Sequence, residues 1–315
     1  MKKASIFIFL SLAGFLLVFN PTVSNYVNLL IVNNLSVSKQ TDSLYQSILN
    51  HKDSYEKPPI DAKVDPIWKA IPGYNGLKVD INASYKNMKT KGVFDSTKLV
   101  YKQIKPKVHL NDLPPSPIYR GNPDKPMVSF IINVAWGNEY LSDILATLKK
   151  HHITASFFLE GNWVKKNPEM AKMIVSAGHE VGNHSYSHPD MARLPAAEAR
   201  EQLIKTNEVI EAATGKECTL FAPPSGSFRD ETVKVAYELH MKTIMWTVDT
   251  IDWQKPSPET LINRVISKID NGSMVLMHPT EATAKSLDRL ITLIEQKHLK
   301  IGPVSELLNE ERILN

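Results

Sequence analysis

The larger, C-terminal part of this chain predicts an α/β fold, because short apolar runs alternate there with amphipathic helical stretches. The runs are too short and too rich in β-branched residues for helices, and their continuous apolarity is typical of strands buried on both faces. Repeated βα units indicate a parallel sheet, open or closed into a barrel. A small module of different character comes before it. The strands are expected at residues 127–134, 154–159, 243–248 and 273–277.

The stretches between these strands carry apolar residues at helical spacing. In a parallel sheet of either layout, functional residues gather at the carboxyl ends of the strands. The chemically distinctive residues of the chain fall at such ends, at 133–137, 184–188, 249–253 and His278. The predicted helical faces are Leu141, Ile144, Leu145 and Leu148, then Leu203, Ile204 and Ile210, then Leu261, Ile262, Val265, Ile266 and Ile269.

Residues 25–122 are interpreted as a small N-terminal module with a linker, and residues 123–315 as the α/β domain. The module lacks a long amphipathic helix and carries several prolines. Residues 77–83 alternate apolar and polar side chains, which predicts a short strand, and residues 41–51 predict a helix. The proline-rich stretch 108–125 indicates an extended linker into the next domain.

Residues 1–24 indicate a secretory signal peptide or a membrane anchor. Lys2 and Lys3 precede an uncharged apolar run at 4–19, which is shorter than the ~20 residues of a spanning helix. The small-residue cleavage signal is weak, so cleavage and retention both stay open. A buried core helix is the alternative, but lysines before an uncharged run favour export. We expect an extracytoplasmic protein, secreted or anchored at the cell envelope, that contacts membrane only through this segment.

Charge and cysteine content exclude two classes of protein. The formal net charge is +4, and the lysines are scattered rather than gathered in an arginine-rich stripe. This indicates a solvated surface and no nucleic-acid partner. Cys218 is the single cysteine of the chain, so neither an internal disulfide nor a cysteine metal cluster can form.

His184 and His188 are four residues apart and can therefore face one metal ion. A hydrolytic metal site usually takes three protein ligands and keeps an open position for water. The strand end at 133–137 carries no carboxylate to complete such a set. We expect zinc binding by the two histidines alone to be weak, and packing or capping is their alternative role.

The residues around this pair resemble a known family. The segment Gly178–Pro189 resembles the second motif of the polysaccharide deacetylase family, carbohydrate esterase family 4. Phe221–Gly226 is similar to the family's F-R-P-P-Y-G, Trp246–Trp253 to its D-x-x-D-W element, and Met274–His278 to its final L-x-L-H. The resemblance runs in motif order over 123–308. It implies a distorted (β/α) barrel that removes N- or O-acetyl groups from chitin-like or peptidoglycan sugars with a divalent metal, usually zinc.

The resemblance also implies roles for single residues, and half of them are missing. The family's first motif is T-F-D-D-G, in which the first Asp is the general base and the second is a metal ligand beside the two histidines. Ala135 and Trp136 occupy those positions here, and Ala222 replaces the Arg that pairs with the base. His278 matches the general acid, and Asp252 matches the Asp that orients it.

Three further residues are candidate substrate contacts. Trp136 either fills the metal space or offers a face on which a sugar ring stacks. Trp253 and Asp249 are expected beside it, although Asp249 and Asp252 have the alternative role of capping a turn or helix. The nearest carboxylates that could replace the missing ligand are Glu139, Asp143 and Asp190. A first-turn acid, favoured by the helix dipole, is the alternative role of Glu139.

Three functions follow from this pattern. The first is a catalytically weak or inactive deacetylase homologue that acts on or binds acetylated cell-wall glycan. The second is an active N-deacetylase in which His184, His188 and water or Glu139 hold the metal, and His278 carries both proton transfers. The third is an envelope- or sporulation-associated scaffold in which the N-terminal module carries the function.

Overall fold

The computed structural model describes residues 20–23, 25 and 42–314, and their contacts group into two compact units. The smaller unit comprises residues up to Lys57 and Leu77–Lys102, and the larger comprises Pro58–Gly76 and the chain from Gln103 onward. Much of the predicted module and linker therefore belongs to the larger unit. The predicted leader at 1–24 lies outside the described residues except for 20–23. None of the described helices is long and apolar enough to span a membrane.

The described elements alternate as the sequence predicts for the larger unit. In chain order they are α1 (Ser43–His51), β1 (Lys63–Asp65), β2 (Lys69–Ile71), β3 (Gly76–Val79), α2 (Ile81–Met88), β4 (Tyr101–Ile104), β5 (Met127–Val134), α3 (Asn138–Lys150), β6 (Ser156–Leu159), α4 (Gly161–Lys166), α5 (Pro168–Ser176), β7 (Glu180–Asn183), α6 (Ala196–Thr214), β8 (Leu220–Phe221), α7 (Asp230–Glu238), β9 (Lys242–Thr243), β10 (Val248–Asp249), α8 (Pro258–Ile266), β11 (Met274–Met277), α9 (Glu281–Gln296), β12 (Lys300–Ile301) and α10 (Val304–Leu308).

The smaller unit packs α1 and α2 on a common apolar cluster. Its buried members are Leu44, Ile48, Val79, Tyr85, Met88 and Leu99. The predicted helix at 41–51 is confirmed from Ser43, where the Asp42 side chain accepts a hydrogen bond from the Leu44 amide. The strand predicted at 77–83 is wrong beyond Val79. Asp80 accepts a hydrogen bond from the Ala83 amide at 3.0 Å, and this cap starts α2 where the strand was expected to continue.

The larger unit is a curled parallel sheet with the strand order β10-β11-β5-β6-β7-β8-β9, and β12 pairs with β5. All eight residues of β5 are buried, as their continuous apolarity predicts. The strand predicted at 243–248 is wrong, because β9 and β10 lie at opposite edges of the sheet. Residues 244–247 cross between those edges, with Ile244 bridging to Ile118. The predicted distorted barrel is thus confirmed as a half-barrel.

The helices pack outside the sheet on the apolar faces that the sequence predicts, with two exceptions, Ile204 and Ile269. Ile269 is buried, but it lies beyond the end of α8 at Ile266. Leu141, Leu203 and Leu261 are buried, but Ile204 is 38% exposed. The packing of α6 buries Leu203 and Ile210 but leaves Ile204 exposed, about 100° around the helix from Leu203. The face of α6 is therefore narrower than predicted.

The pairing register places the carboxyl ends of five strands side by side at one end of the sheet. Ile132 pairs with Met277, Val134 with Leu159, Leu159 with Asn183, and Asn183 with Phe221. The residues that follow these strands therefore emerge side by side. They are Ala135 and Trp136, Glu160, His184, Ala222 and His278.

Candidate functional site

One cavity of about 400 Å³ at this end of the sheet gathers most of the predicted site residues, and we name it the His184 cavity. Ala222 and Asp252 lie behind its wall, and both are fully buried. The strand register thus unites residues that are up to 145 positions apart, from Asn133 to His278. The lining is Asn133, Ala135, Trp136, His184, His188, Ser225, Trp246, Asp249, Trp253, Leu276 and His278.

His184 is held in one tautomer by the backbone of the third motif. Its Nδ1 donates to the carbonyl oxygen of Ala222 at 2.8 Å, so Nε2 keeps a free lone pair. Burial lowers the pKa of His184 to about 3. Burial also lowers the pKa of His188, whose ring centroid lies 5.2 Å from that of His184. Both imidazoles are therefore neutral at pH 7, which is the form that binds metal.

A third metal ligand does not accompany this pair. No group of three His, Cys, Asp or Glu side chains within the described ranges is placed to hold one ion. The residues present thus do not fit a hydrolytic metal centre with three protein ligands. Strand β5 is the place where the family motif supplies the missing carboxylate, and there the chain carries Ala135 and Trp136.

The carboxylates that the sequence offers as replacements lie elsewhere. Glu139 is in the first turn of α3 and lines two neighbouring cavities, but not the His184 cavity. Asp143 is exposed on the same helix. Asp190 accepts a hydrogen bond from the Ser227 hydroxyl and pairs with Arg193. The first-turn role therefore describes Glu139 better than metal binding does.

The surviving half of the site is fully assembled. Asp252 accepts the Nδ1–H of His278 at 2.8 Å through one oxygen. Its other oxygen accepts the His278 amide and the Thr283 hydroxyl, each at 2.6 Å. Three hydrogen bonds fix this buried carboxylate and leave Nε2 of His278 as the free ring nitrogen. The arrangement is suited to proton transfer at the cavity wall.

Trp136 lies beside this histidine and does not fill the cavity. Its indole is stacked with the His278 ring, with centroids 5.8 Å apart and planes 11° apart. The side chain is 47% exposed, and Trp253 across the cavity mouth is 55% exposed. Of the two roles considered for Trp136, an exposed stacking face agrees with this position.

Asp249 lines the same cavity but also has a local structural role. Its Oδ1 accepts a hydrogen bond from the Ile251 amide at 2.8 Å, which caps the turn after β10. Thus both readings of Asp249 describe the observed position, because one carboxylate oxygen is engaged and the residue still borders the cavity.

Asn133 and Glu160 were missed by the sequence analysis as site residues. Asn133 is 4% exposed and lines the His184 cavity, and its Oδ1 accepts no hydrogen bond from any described residue. Glu160 follows β6, caps α4 through the Trp163 amide at 2.6 Å, and has its pKa raised by burial. The available signal was a polar residue at the end of an apolar strand, which is the place where sites form.

Comparison with known proteins places this site in a family. The family model for polysaccharide deacetylase matches residues 120–244. The chain is 53% identical over 310 residues to the uncharacterized protein YlxY of Bacillus subtilis (strain 168), which covers 98% of this chain and 97% of that protein. It is 35% identical over 164 residues to a peptidoglycan-N-acetylglucosamine deacetylase of Bacillus cereus, which covers 50% of this chain and 60% of that protein.

A solved structure shares the fold over most of the chain. BA3943, a CE4 family pseudoenzyme from Bacillus anthracis, is 56% identical with a TM-score of 0.84, over 87% of this chain and 97% of that one. A BA3943 mutant with restored enzymatic activity gives the same TM-score and identity, over 86% and 100%. Given these likenesses and the motif order at the strand ends, the chain belongs to the polysaccharide deacetylase family, carbohydrate esterase family 4.

Proposed function

We propose that this protein is an extracytoplasmic pseudoenzyme that binds cell-wall glycan of the peptidoglycan type and hydrolyses it weakly or not at all. The observation that carries the proposal is Trp136, an exposed indole at the position of the family's metal carboxylate. Relatives named as peptidoglycan deacetylases supply the glycan class. Secretion after cleavage of the leader and anchoring by a retained leader both agree with the location of such glycan in the cell envelope.

The missing groups account for weak catalysis. A general base contributes about 10²- to 10⁴-fold to rate, and Ala135 cannot take a proton. Without a third protein ligand, two imidazoles bind zinc weakly. Zinc is therefore a weak ligand of this protein in our proposal, and His184 and His188 are the residues that would hold it. The metal would supply an activated water in an intact family member.

The loss at position 222 is consistent with the loss at position 135. Ala222 is buried in an apolar cluster with Phe158 and Leu276. An arginine there without its carboxylate would be an unpaired buried charge, which costs about 3–5 kcal/mol. The two alanines are therefore consistent with each other. Restoring only the Asp at position 135, or only the Arg at position 222, would leave a buried charge without its partner.

The alternative of a rearranged active site needs a third ligand placed beside the two histidines, and no such group of three lies among the described residues. Glu139 borders the neighbouring cavities instead. Stoichiometric zinc in the unmodified protein, lost on His184→Ala, together with acetate release, would support that alternative and contradict ours.

Restoration of the missing groups tests the proposal. We expect the triple variant Ala135→Asp, Trp136→Asp, Ala222→Arg to bind zinc stoichiometrically and to release acetate from acetylated peptidoglycan much faster than the unmodified protein does. Adding His184→Ala to the triple variant should abolish both gains. Acetate release by the unmodified protein at the rate of an intact family deacetylase would overturn the assignment as a pseudoenzyme.

A further inference from the structure

Trp136 borders three cavities, not one. The second, named the Lys255 cavity, has a volume of about 400 Å³ and is shared with Trp253. The third, named the Glu160 cavity, has a volume of about 480 Å³ and is shared with Trp163. Together with Trp246 in the His184 cavity, four of the chain's five tryptophans line this three-way junction. The exposed indoles of this junction are those of Trp136 and Trp253, and their faces favour stacking of sugar rings, whereas Trp163 is only 4% exposed.

The chemistry of the His184 cavity suits an uncharged sugar. Asp249 is the single Asp, Glu, Lys or Arg in its lining, and one oxygen of that carboxylate already accepts the Ile251 amide. Asn133 presents a buried amide oxygen with no donor among the described residues. A buried acceptor without a donor is unfavourable, so a hydroxyl or amide N–H of a bound sugar would supply the missing hydrogen bond.

The Glu160 cavity offers amides beside two carboxylates, Glu139 and Glu160, and the ammonium of Lys166. Its lining includes Asn138, Asn162 and Asn167 beside Trp163. Asn138 is fixed in place, because its Oδ1 accepts the Trp163 indole N–H at 2.6 Å and its Nδ2 donates to Asn167 at 2.9 Å. Fixed amides beside an indole are suited to the hydroxyl and acetamido groups of a second sugar ring.

The Lys255 cavity differs from the Glu160 cavity because two lysines line it, Lys255 and Lys285, where the Glu160 cavity has only Lys166. Lys285 pairs with Glu281 at 2.5 Å, one turn along α9. Lys255 makes no ion pair with a described carboxylate, although it is close enough to contribute to the lowered pKa of Glu281, whose largest cause is the Lys285 bond. Glu139 and the buried Asp252 are the other carboxylates of the lining. An ammonium that makes no ion pair favours a carboxylate on the bound ligand.

We propose that the junction binds a branched glycan. One sugar ring stacks on Trp136, and the next ring of the strand lies in the Glu160 cavity. A carboxylate-bearing branch of the ring on Trp136 lies in the Lys255 cavity. This inference rests on the proposed glycan-binding function and names the form of the glycan. Peptidoglycan that carries its stem peptides has this branching, whereas a chitin-like strand does not. The substitution that removed the metal ligand thereby supplied the centre of the binding surface.

Titration calorimetry with two ligands tests the proposal. The first is N-acetylchitotetraose, a neutral linear strand, and the second is a peptidoglycan tetrasaccharide that carries its stem peptides. We expect the second to bind the unmodified protein at least about tenfold more tightly. Trp136→Ala should weaken both ligands about tenfold. Trp68→Ala removes the one tryptophan outside the junction and should change neither.

A variant without the charge at position 255 distinguishes binding of the charged branch from binding of the linear glycan chain. Lys255 has φ +53°, so Lys255→Asn is the suitable change, because asparagine tolerates the left-handed region. We expect this variant to lose the preference for the peptide-bearing ligand and to bind chitotetraose as before. Thermal unfolding of each variant checks that the fold is intact.

Equal affinity of the unmodified protein for the two ligands would overturn the branched-glycan proposal while leaving glycan binding in place. The same holds if Lys255→Asn weakens both ligands equally, or if Trp136→Ala weakens neither. Absence of binding to either ligand would instead overturn the proposed function itself.

Discussion

The indole of Trp136 is stacked on the imidazole of His278, with an interplanar angle of 11°. The position that supplies a metal ligand in the family motif is therefore in direct contact with the residue that matches the general acid. Removal of the indole at position 136 is consequently expected to affect glycan binding and the surroundings of His278 together.

Trp136→Asp alone should raise zinc affinity, because it adds a carboxylate at the strand end beside the neutral pair His184 and His188. Loss of an outer partner of a metal ligand already costs 10- to 100-fold in affinity, so a gained direct ligand should contribute more than about tenfold. Competition with a chromogenic chelator measures the change. Trp136→Ala makes the same space without adding a ligand and should leave zinc affinity unchanged; an equal gain in both variants would contradict the prediction.

Asp252→Ala should destabilise the fold by about 3–5 kcal/mol. The change removes a buried carboxylate and leaves the His278 amide, the His278 ring and the Thr283 hydroxyl without their acceptor. Urea unfolding at pH 7 gives the free energy. Asp249→Ala is the matched control, because that carboxylate accepts a hydrogen bond from the Ile251 amide at a turn, and its loss should cost about 1 kcal/mol.

Stability should fall in mild acid through His179. Its Nδ1 accepts the Ala155 amide at 3.2 Å, and burial lowers its pKa to about 4. Since the unfolded chain takes up the proton near pH 6.5, the stabilisation is complete above that pH and is lost as pH falls toward 4, by up to about 3 kcal/mol.

The measurement for His179 is urea unfolding at several pH values between 7 and 4. His179→Gln keeps a side-chain acceptor without the titration, so its stability should fall less over this interval. Parallel curves for the variant and the unmodified protein would show that other groups, such as buried His184, cause the whole effect.

Gly137→Ala should destabilise the protein by more than about 3 kcal/mol. Its φ is +83°, and a Cβ there would lie 1.9 Å from the carbonyl oxygen of Pro279. Gly178→Ala is an unusually close control, because Gly178 has φ +86° and nothing lies within 4 Å of its Cβ position. The control should cost about 1 kcal/mol, from backbone strain alone. Equal losses in urea unfolding would contradict the steric explanation.

The sequence alone predicts most of the sheet, because burial on both faces leaves a readable apolar run. Strand β5 shows this, with its eight residues at the predicted bounds. The run at 243–248 misleads, since Ile244 and Met245 are buried where the chain crosses between the sheet edges. The apolar residues there indicate that the segment is buried, but they do not indicate whether it runs along a strand of the sheet or crosses between its edges.

The site is only partly readable for a different reason. His184, His278 and Asp252 follow from motif order, but Asn133 looks like one polar residue in an apolar strand. Its significance depends on the unpaired oxygen, which only the packing around it reveals. Likewise the neighbouring cavities around Trp136 arise from helices α3, α8 and α9, whose mutual placement no local pattern predicts.

The contact of Gly137 with Pro279 ties together the two backbone segments that carry the first and last motifs. Side chains at positions 135 and 136 can therefore be exchanged while the chain beneath them is held against its neighbour. The same backbone can therefore carry side chains for catalysis or side chains for glycan binding. The distance between an enzyme and a binding protein is then counted in a few side chains and requires no redesign of the main chain.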